Sequence, residues 1–580
     1  EPVSAYREPL ATRVTRWGRR HRMAAVSTGL LLLAAVVGLS VCAFLINRER
    51  SKAEANFRQA RAAVDDYFTA VSESRLLEVP GLQPLRKELL DLALKYYRDF
   101  LAERGRDPRV RFEAATASFR VGWISRALGR PDEAEPALRA ASALYDELAR
   151  EHPEVAEYRR HAAIGHGALG LLLGAEHRYD EAIAAHRRVL ALREALARDD
   201  PGNPQFPSDI ARSYYNIGLI HRDLGKDKEA RAEFDEAAAI GERLLKNPIP
   251  ASAEVRTLTG RRGLSFVIRE DLASVHLDRA ALLSDLGRND EAQVAWGRSM
   301  EILEPLFREY HDDLFERERM ARGYLIGHYL QVSLGKLAES EATLRKGLEI
   351  QEGLVRTNPA VADYRGQLIE MRVGLGWLLD RRGHSEEALT ALRGAIETAE
   401  GLIADRLDTM MVRPWMARAH NLSGNVLLKL KRPAEALAMA RRAVQIDEEI
   451  ARGRPDIVKF RDMFASAYRS LGRAEAANGH RPEAAAAFSR AVDVEAESAE
   501  KYPGVRYNLA CSLALLIPVS EPDRREALAA RAIEALRRSF ADGYANGPLL
   551  TTDTDLDPLR DRDDFRSLLT QAQAKVATGK

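Results

Sequence analysis

The apolar pattern of this chain repeats on two scales. Small and large apolar positions recur at helical spacing, and above that a Glu followed by a small residue recurs at Ala134, Ala182, Ala230, Ala292, Ser340, Ala388, Ala436 and Ala484. The steps between these positions are 48, 48, 62, 48, 48, 48 and 48 residues. Self-similarity at a fixed period marks a stacked architecture, in which each unit buries its apolar face only against its neighbours. Twelve residues before the small residue stands Gly122, Gly170, Gly218, Gly376, Gly424 or Gly472, with Ala280 and His328 in the other two units. Four after it come Leu138, His186, Phe234, Trp296, Leu344, Leu392, Ala440 and Phe488; seven after it come Ala141, Val189, Ala237, Ser299, Gly347, Ala395, Ala443 and Ala491. Facing small residues let two helices approach closely, and the large residue fills the gap one turn on.

This small, small, large, small spacing resembles the tetratricopeptide repeat, a helix–turn–helix unit of about 34 residues. The units here are longer. The closing proline falls 19 residues after the signature at Pro153, Pro201, Pro359, Pro455 and Pro503, and 18 after it at Pro248. An extra seven residues per helix, about two turns, nearly preserves the facing side, so the stack tolerates it. The expected fold is all-α, a single transmembrane helix followed by an α-solenoid. The predicted order is a basic segment (1–23), a membrane helix (24–46), a juxtamembrane helical region (47–104), eight repeats (105–503), a degenerate ninth (504–541) and a cap (542–580). The 62-residue step places 14 extra residues in the fourth unit, around Ile249 to Gly263.

A net charge of +1 argues against a general nucleic-acid binder. Two cysteines, Cys42 and Cys511, make neither a disulfide framework nor a metal cluster. The 13 histidines form no H-E-x-x-H, so no metal or cofactor is expected.

Residues 24–46, AAVSTGLLLLAAVVGLSVCAFLI, run 23 positions without a charge, enough to span a bilayer. A secretory signal would have a shorter apolar core and a small-residue cleavage site. Val41 before Cys42 spoils a lipoprotein site. Flanking charge leaves the orientation open, because Arg13, Arg16, Arg19, Arg20 and Arg22 are balanced by Arg48, Arg50, Lys52, Arg58 and Arg61. The stretch from Glu1 to Leu101, with VSAYREPL, the Arg-rich flank and YFTAVSESRLLEVPGLQPLRKELLDLALKYYRDFL, resembles the C-terminal portion of planctomycete-type bacterial serine/threonine protein kinases. The closing GYANGPLLTTDTDLDPLRDRDDFRSLL resembles the last helix of their repeat arrays. The resemblance implies a kinase domain upstream, an inner-membrane anchor with a cytoplasmic N-terminus, and periplasmic repeats acting as a sensing module. The alternative is a free-standing membrane-anchored scaffold with no kinase.

Three strings mimic functional motifs. Gly165–Gly170 matches G-x-G-x-x-G but lies in a helical pattern with no preceding strand. His221-Arg222-Asp223-Leu224 matches the start of a kinase catalytic loop, yet Lys228 stands where the magnesium-binding Asn belongs and no D-F-G follows. Asp553 to Asp557 imitates a calcium loop, but Pro558 and Asp564 replace its Gly and Glu, so a capped acidic helix start is expected. No catalytic residue is expected in this chain.

In tetratricopeptide arrays the first helices line the concave face. Offsets of −6, −3, +1 and +4 from the packing glycine share one helical stripe. That stripe collects Phe119, Trp123 and Arg126; Arg212, Tyr215, Leu219 and Arg222; Arg322, Leu325 and Tyr329; Trp377; Arg418, Asn421, Asn425 and Leu428; Arg469 and Arg473. Guanidinium and amide groups suit the carboxylates and backbone of an extended peptide partner, and the rings give rigid contact area. No complete clamp for an EEVD-like C-terminus is present. Facing a groove rather than the core, Arg212, Arg222, Arg418 and Arg469 are expected to tolerate alanine without loss of folding.

Overall fold

Helix follows helix through almost the whole computed structural model, which describes residues 33–49, 83–104, 110–128, 130–247, 249, 254–257, 260–407, 412–453, 458–500, 504–542 and 547–577, with isolated positions before 53. Helix α1 (Gln83–Arg104) packs on the first of eight consecutive pairs: α2 (Arg111–Ala127) with α3 (Pro131–Glu151), α4 (Ala156–Ala175) with α5 (Tyr179–Asp199), α6 (Gln205–Asp223) with α7 (Asp227–Lys246), and α8 (Leu264–Asp285) with α9 (Asn289–Glu309). The remaining four are α10 (Leu314–Ser333) with α11 (Leu337–Thr357), α12 (Ala362–Arg381) with α13 (Ser385–Ala404), α14 (Val412–Lys429) with α15 (Pro433–Gly453), and α16 (Val458–Ala477) with α17 (Arg481–Ala499). A ninth pair, α18 (Val505–Leu516) and α19 (Pro522–Ala541), is closed by α20 (Gly547–Thr552), a 3₁₀ turn (Thr554–Leu559) and α21 (Asp563–Ala577).

The spacing of small and large residues is what brings each pair together. All eight signature positions, Ser340 included, are 0% exposed. The packing glycines face the large residue of their own unit. A methyl group on Gly218 would sit 2.7 Å from the Phe234 ring, and one on Gly122, Gly376 or Gly472 would meet Leu138, Leu392 or Phe488 at 2.5–2.6 Å. Gly170 faces the His186 ring in the same way. Gly424, opposite the smaller Ala440, has more room: a methyl group there would meet the Ala436 carbonyl at 3.3 Å, the Ala440 nitrogen at 3.7 Å and Met439 Cβ at 3.8 Å. Where Ala280 replaces the glycine, the Trp296 ring lies instead against Gly327 of the next unit, and its Nε1 donates to the Gly323 carbonyl at 2.8 Å. Where His328 replaces it, the signature residue is Ser340: Nδ1–H donates to Ser340 Oγ at 2.8 Å, and that hydroxyl donates to the His328 carbonyl at 3.0 Å. Gly218→Leu is therefore expected to cost about 1–3 kcal/mol by overpacking. A raised or unchanged thermal midpoint of the full chain would contradict this, since an exposed helix glycine gains propensity when replaced.

Two expectations are corrected. The array is not wholly helical, because the 14 extra residues of the fourth unit contain an antiparallel hairpin, β1 (Glu254–Thr257) and β2 (Gly260–Gly263), with Thr257 opposite Gly260. Four residues a side give too short a run for alternation to show against the helical pattern around it. The hairpin docks through Arg262, which pairs with Asp313 at the start of α10 and lies 5.0 Å from the Phe266 ring centre and 5.6 Å from that of Tyr310. Secondly, among the described residues no helix is long and apolar enough to cross a membrane. The transmembrane helix, the membrane as partner and the inner-membrane topology with periplasmic repeats are thus not supported. Of the stretch 24–46, positions 24, 25, 28, 29, 31 and 32 lie outside the described residues, as do most of the basic segment 1–23 and the region 53–82.

Candidate functional site

First helices of successive units touch directly, α6 with α8, α8 with α10, α12 with α14 and α14 with α16, and so form the inner face of the stack. Between α2, α4, α6, α8 and the start of α10 this face encloses a groove of ≈ 660 Å³. Its apolar floor comes from α4, where Ile164 and Leu171 are 44% and 43% exposed. Phe119 and Trp123 of α2 stack beside it with centroids 6.1 Å apart, and Phe315 is 37% exposed at the far wall. The sequence reading missed Ile164, Gly167 and Leu171. They stand at −6, −3 and +1 from Gly170, on the stripe's own offsets, but in the second unit, from which the stripe above takes no residue.

Most of the candidate arginines do not await a ligand. Asp278 of α8, fully buried, accepts from the Tyr215 hydroxyl at 2.7 Å, from Arg222 at 2.5 Å and from Arg322 at 2.6 Å. Burial pushes the Asp278 carboxyl up, but the Arg322 and Arg222 guanidiniums and the Tyr215 hydroxyl outweigh it and hold it below the usual carboxylate range. The same cluster raises Tyr215, chiefly through burial and then the Asp278 charge. Arg212 pairs with Asp271 at 2.7 Å, and that charge raises its pKa. Arg469 pairs with buried Glu495, and Arg473 with Asp555 of the cap. Asn421 donates to Ser466 at 3.2 Å, and Asn425 accepts from Ser470 at 3.1 Å. All of these contacts but Arg469–Glu495, which lies inside the eighth pair, join one unit to another, and Arg469 reaches the ninth pair by donating to Ser512 at 3.3 Å. Alanine at Arg212, Arg222 or Arg469 is therefore expected to remove a fastener, where the sequence alone led to an expectation of unaffected folding.

The rest of the stripe behaves differently. Arg126 lies 4.6 Å from the Trp123 ring centre, and burial lowers its pKa. Arg418 lies 5.5 Å from that of Trp415, and Arg381 lies 5.2 Å from that of Trp377. Among the described residues none of these three guanidiniums is ion-paired. Tyr329, 42% exposed, donates to Glu370 at 2.6 Å.

The mimicking strings resolve as packing. Gly165 and Gly170, both in α4, face Ser142 of α3 and His186 of α5, while Arg222 of the H-R-D-L string, at the end of α6, serves Asp278 of α8. Asp553 caps the 3₁₀ turn by accepting from the Asp555 amide at 2.9 Å. Cys511, Asp553 and Asp555 come together, but Tyr507 donates to Asp553 at 2.7 Å and Arg473 engages Asp555, so both carboxylates are already used.

Two segments, 210–248 and 373–455, match the tetratricopeptide repeat family. No curated protein matches the sequence. Among solved structures, the apo form of RapI is similar at 12% identity and a TM-score of 0.48, over 72% of this chain and 99% of that one. The apo quorum sensor NprR from B. thuringiensis is similar at 12% identity and a TM-score of 0.41, over 75% and 99%. A signal transduction ATPase with numerous domains from Pyrococcus horikoshii, which carries a tetratricopeptide repeat sensor, is similar at 11% and 0.40, over 79% and 54%. The tetratricopeptide-like solenoid is a non-catalytic scaffold. The matched segments are repeats, so the resemblance to a receptor-like kinase is not supported; most of 1–82, which carried much of it, lies outside the described residues.

Proposed function

We propose that this chain is a protein-interaction module that holds an extended segment of a partner along its concave face. The supporting observation is the apolar floor of the groove. Ile164 and Leu171 remain more than two-fifths exposed on a helix whose other leucines, Leu169, Leu172 and Leu173, are buried, inside a cavity walled by five first helices. Solvated aliphatic side chains in a concave site gain from burial under a ligand, at about 25 cal/mol per Å². The walls carry little free charge, because Arg212 is paired with Asp271 and Arg262 with Asp313. Peptide affinity there should come from side chains seated on the floor.

The test is a random-sequence peptide array probed with the full chain and with Ile164→Asp and Leu171→Asp. Both positions are exposed enough to leave the thermal midpoint unchanged. Each variant should lose at least tenfold in affinity for the captured peptides. An array that captures nothing, or binding that survives both substitutions, would count against the groove.

A further inference from the structure

A second depression on the same face, of ≈ 160 Å³, lies between α10, α12 and α14. Tyr329, Trp377 and Trp415 give it three aromatic walls, and Arg418 stands at its edge. An aromatic box of this kind on its own attracts cations, because ring faces are negative. Two observations reverse that preference. Arg418 is exposed, lies over Trp415, and has no ion-pair partner among the described residues, unlike Arg212, Arg222, Arg322, Arg469 and Arg473. Arg381, also exposed and without an ion pair, adds a second guanidinium over Trp377. Glu370, the carboxylate that meets this patch, has its Oε1 taken by the Tyr329 hydroxyl at 2.6 Å. The other lining residues, His328, Val332, Val373 and Gly374, add no carboxylate, and burial holds the His328 ring neutral with its pKa near 4.

We infer that this pocket, within the peptide-binding reading above, selects a partner segment in which an acidic residue adjoins an aromatic or large aliphatic one. The apolar side chain lies against Tyr329, Trp377 and Trp415, and the neighbouring carboxylate accepts from Arg418. A guanidinium stacked on a ring is already oriented, so less freedom is lost when its planar fork meets a carboxylate. A lysine-bearing segment would instead meet the two guanidiniums of Arg418 and Arg381, only partly offset by the Glu370 carboxylate.

The probes are two fluorescein-labelled twelve-residue peptides, one of repeated Phe-Asp-Gly units and one of repeated Phe-Lys-Gly units, titrated against the full chain by fluorescence anisotropy. The acidic peptide should bind at least tenfold tighter. Arg418→Glu should abolish or invert the preference, and Arg418→Lys should keep its sign at reduced strength. Equal affinity for the two peptides, no binding by either, or a preference that persists in Arg418→Glu would overturn the inference. A preference that persists in Arg418→Glu but is lost in Leu171→Asp would leave the groove reading standing and remove this pocket as its selector. A lowered melting midpoint of Arg418→Glu would also count against it, by assigning Arg418 to the fold.

Discussion

Asp278→Ala is expected to destabilise the middle of the array by about 3–5 kcal/mol, the usual cost of breaking a buried ion pair from one side. The substitution strands the Arg222 and Arg322 guanidiniums and the Tyr215 hydroxyl, which reach Asp278 from α6 and α10 on either side of α8. In a solenoid each unit is stabilised only by its neighbours, so the loss should stay local. Hydrogen exchange should quicken in α6, α8 and α10 while α16 and α17 keep their protection, and the melt should broaden or split. Asp278→Asn, which retains volume and some hydrogen bonding, should fall between the variant and the parent. A melt of Asp278→Ala that overlays the parent's would show the cluster to be incidental.

The second large effect concerns acid. His186, His328 and His420 are buried in inter-helix packing, and burial depresses each pKa to about 4. An unfolded histidine titrates near 6.5. Between those values the unfolded chain binds more protons, so the stability is complete above about pH 6.5 and drains away as pH falls toward 4. Each residue stands to lose about 3 kcal/mol over that interval. Asp447 carries the opposite sign. Burial raises it to about 7, so its contribution is present at low pH and is lost as pH rises through 7. Thermal midpoints should therefore peak near neutrality and drop steeply between pH 6.5 and 4. His186→Phe offers a clean control, since Phe234 and Phe488 occupy the same place against Gly218 and Gly472. That variant should lose less of its midpoint between pH 7 and 5 than the parent does. Equal losses would remove His186 from the account.

The helix pairing was legible because packing requires it. A glycine twelve residues before a small residue, with a bulky one four after it, is a direct record of two helices in contact, and Gly218 with Phe234 shows the contact itself. The hairpin was not legible, since Glu254–Thr257 and Gly260–Gly263 are each four residues long and only the 62-residue step betrayed an insertion there. The stripe was half legible. Helical offsets located the first-helix face correctly enough to find Tyr215, Arg222 and Arg322, but the sign of their role depends on Asp278, a carboxylate inside the apolar run LASVHLDRAALL. A charged residue there has to be paired, and asking what pairs it would have pointed to the arginines of the neighbouring units. Ile164 and Leu171 were invisible for the reverse reason, because an aliphatic residue on a helix reads as core until its surroundings show it open. The apolar run at 24–46 misled through composition alone, and no described helix there meets the length and apolarity of a membrane span.

The concave arginines fall into those that fasten helices together and those that, among the described residues, stand over tryptophan rings without an ion pair. One paired measurement on the full chain tests that division most directly: the thermal midpoint and the affinity for the Phe-Asp-Gly peptide, each for Arg222→Ala and Arg418→Ala. Arg222→Ala should lower the midpoint by several degrees and, well below its melting range, leave affinity near the parent's. Arg418→Ala should leave the midpoint in place and weaken binding at least tenfold. The opposite pattern, a stable Arg222→Ala that fails to bind and a destabilised Arg418→Ala that binds normally, would contradict the division outright.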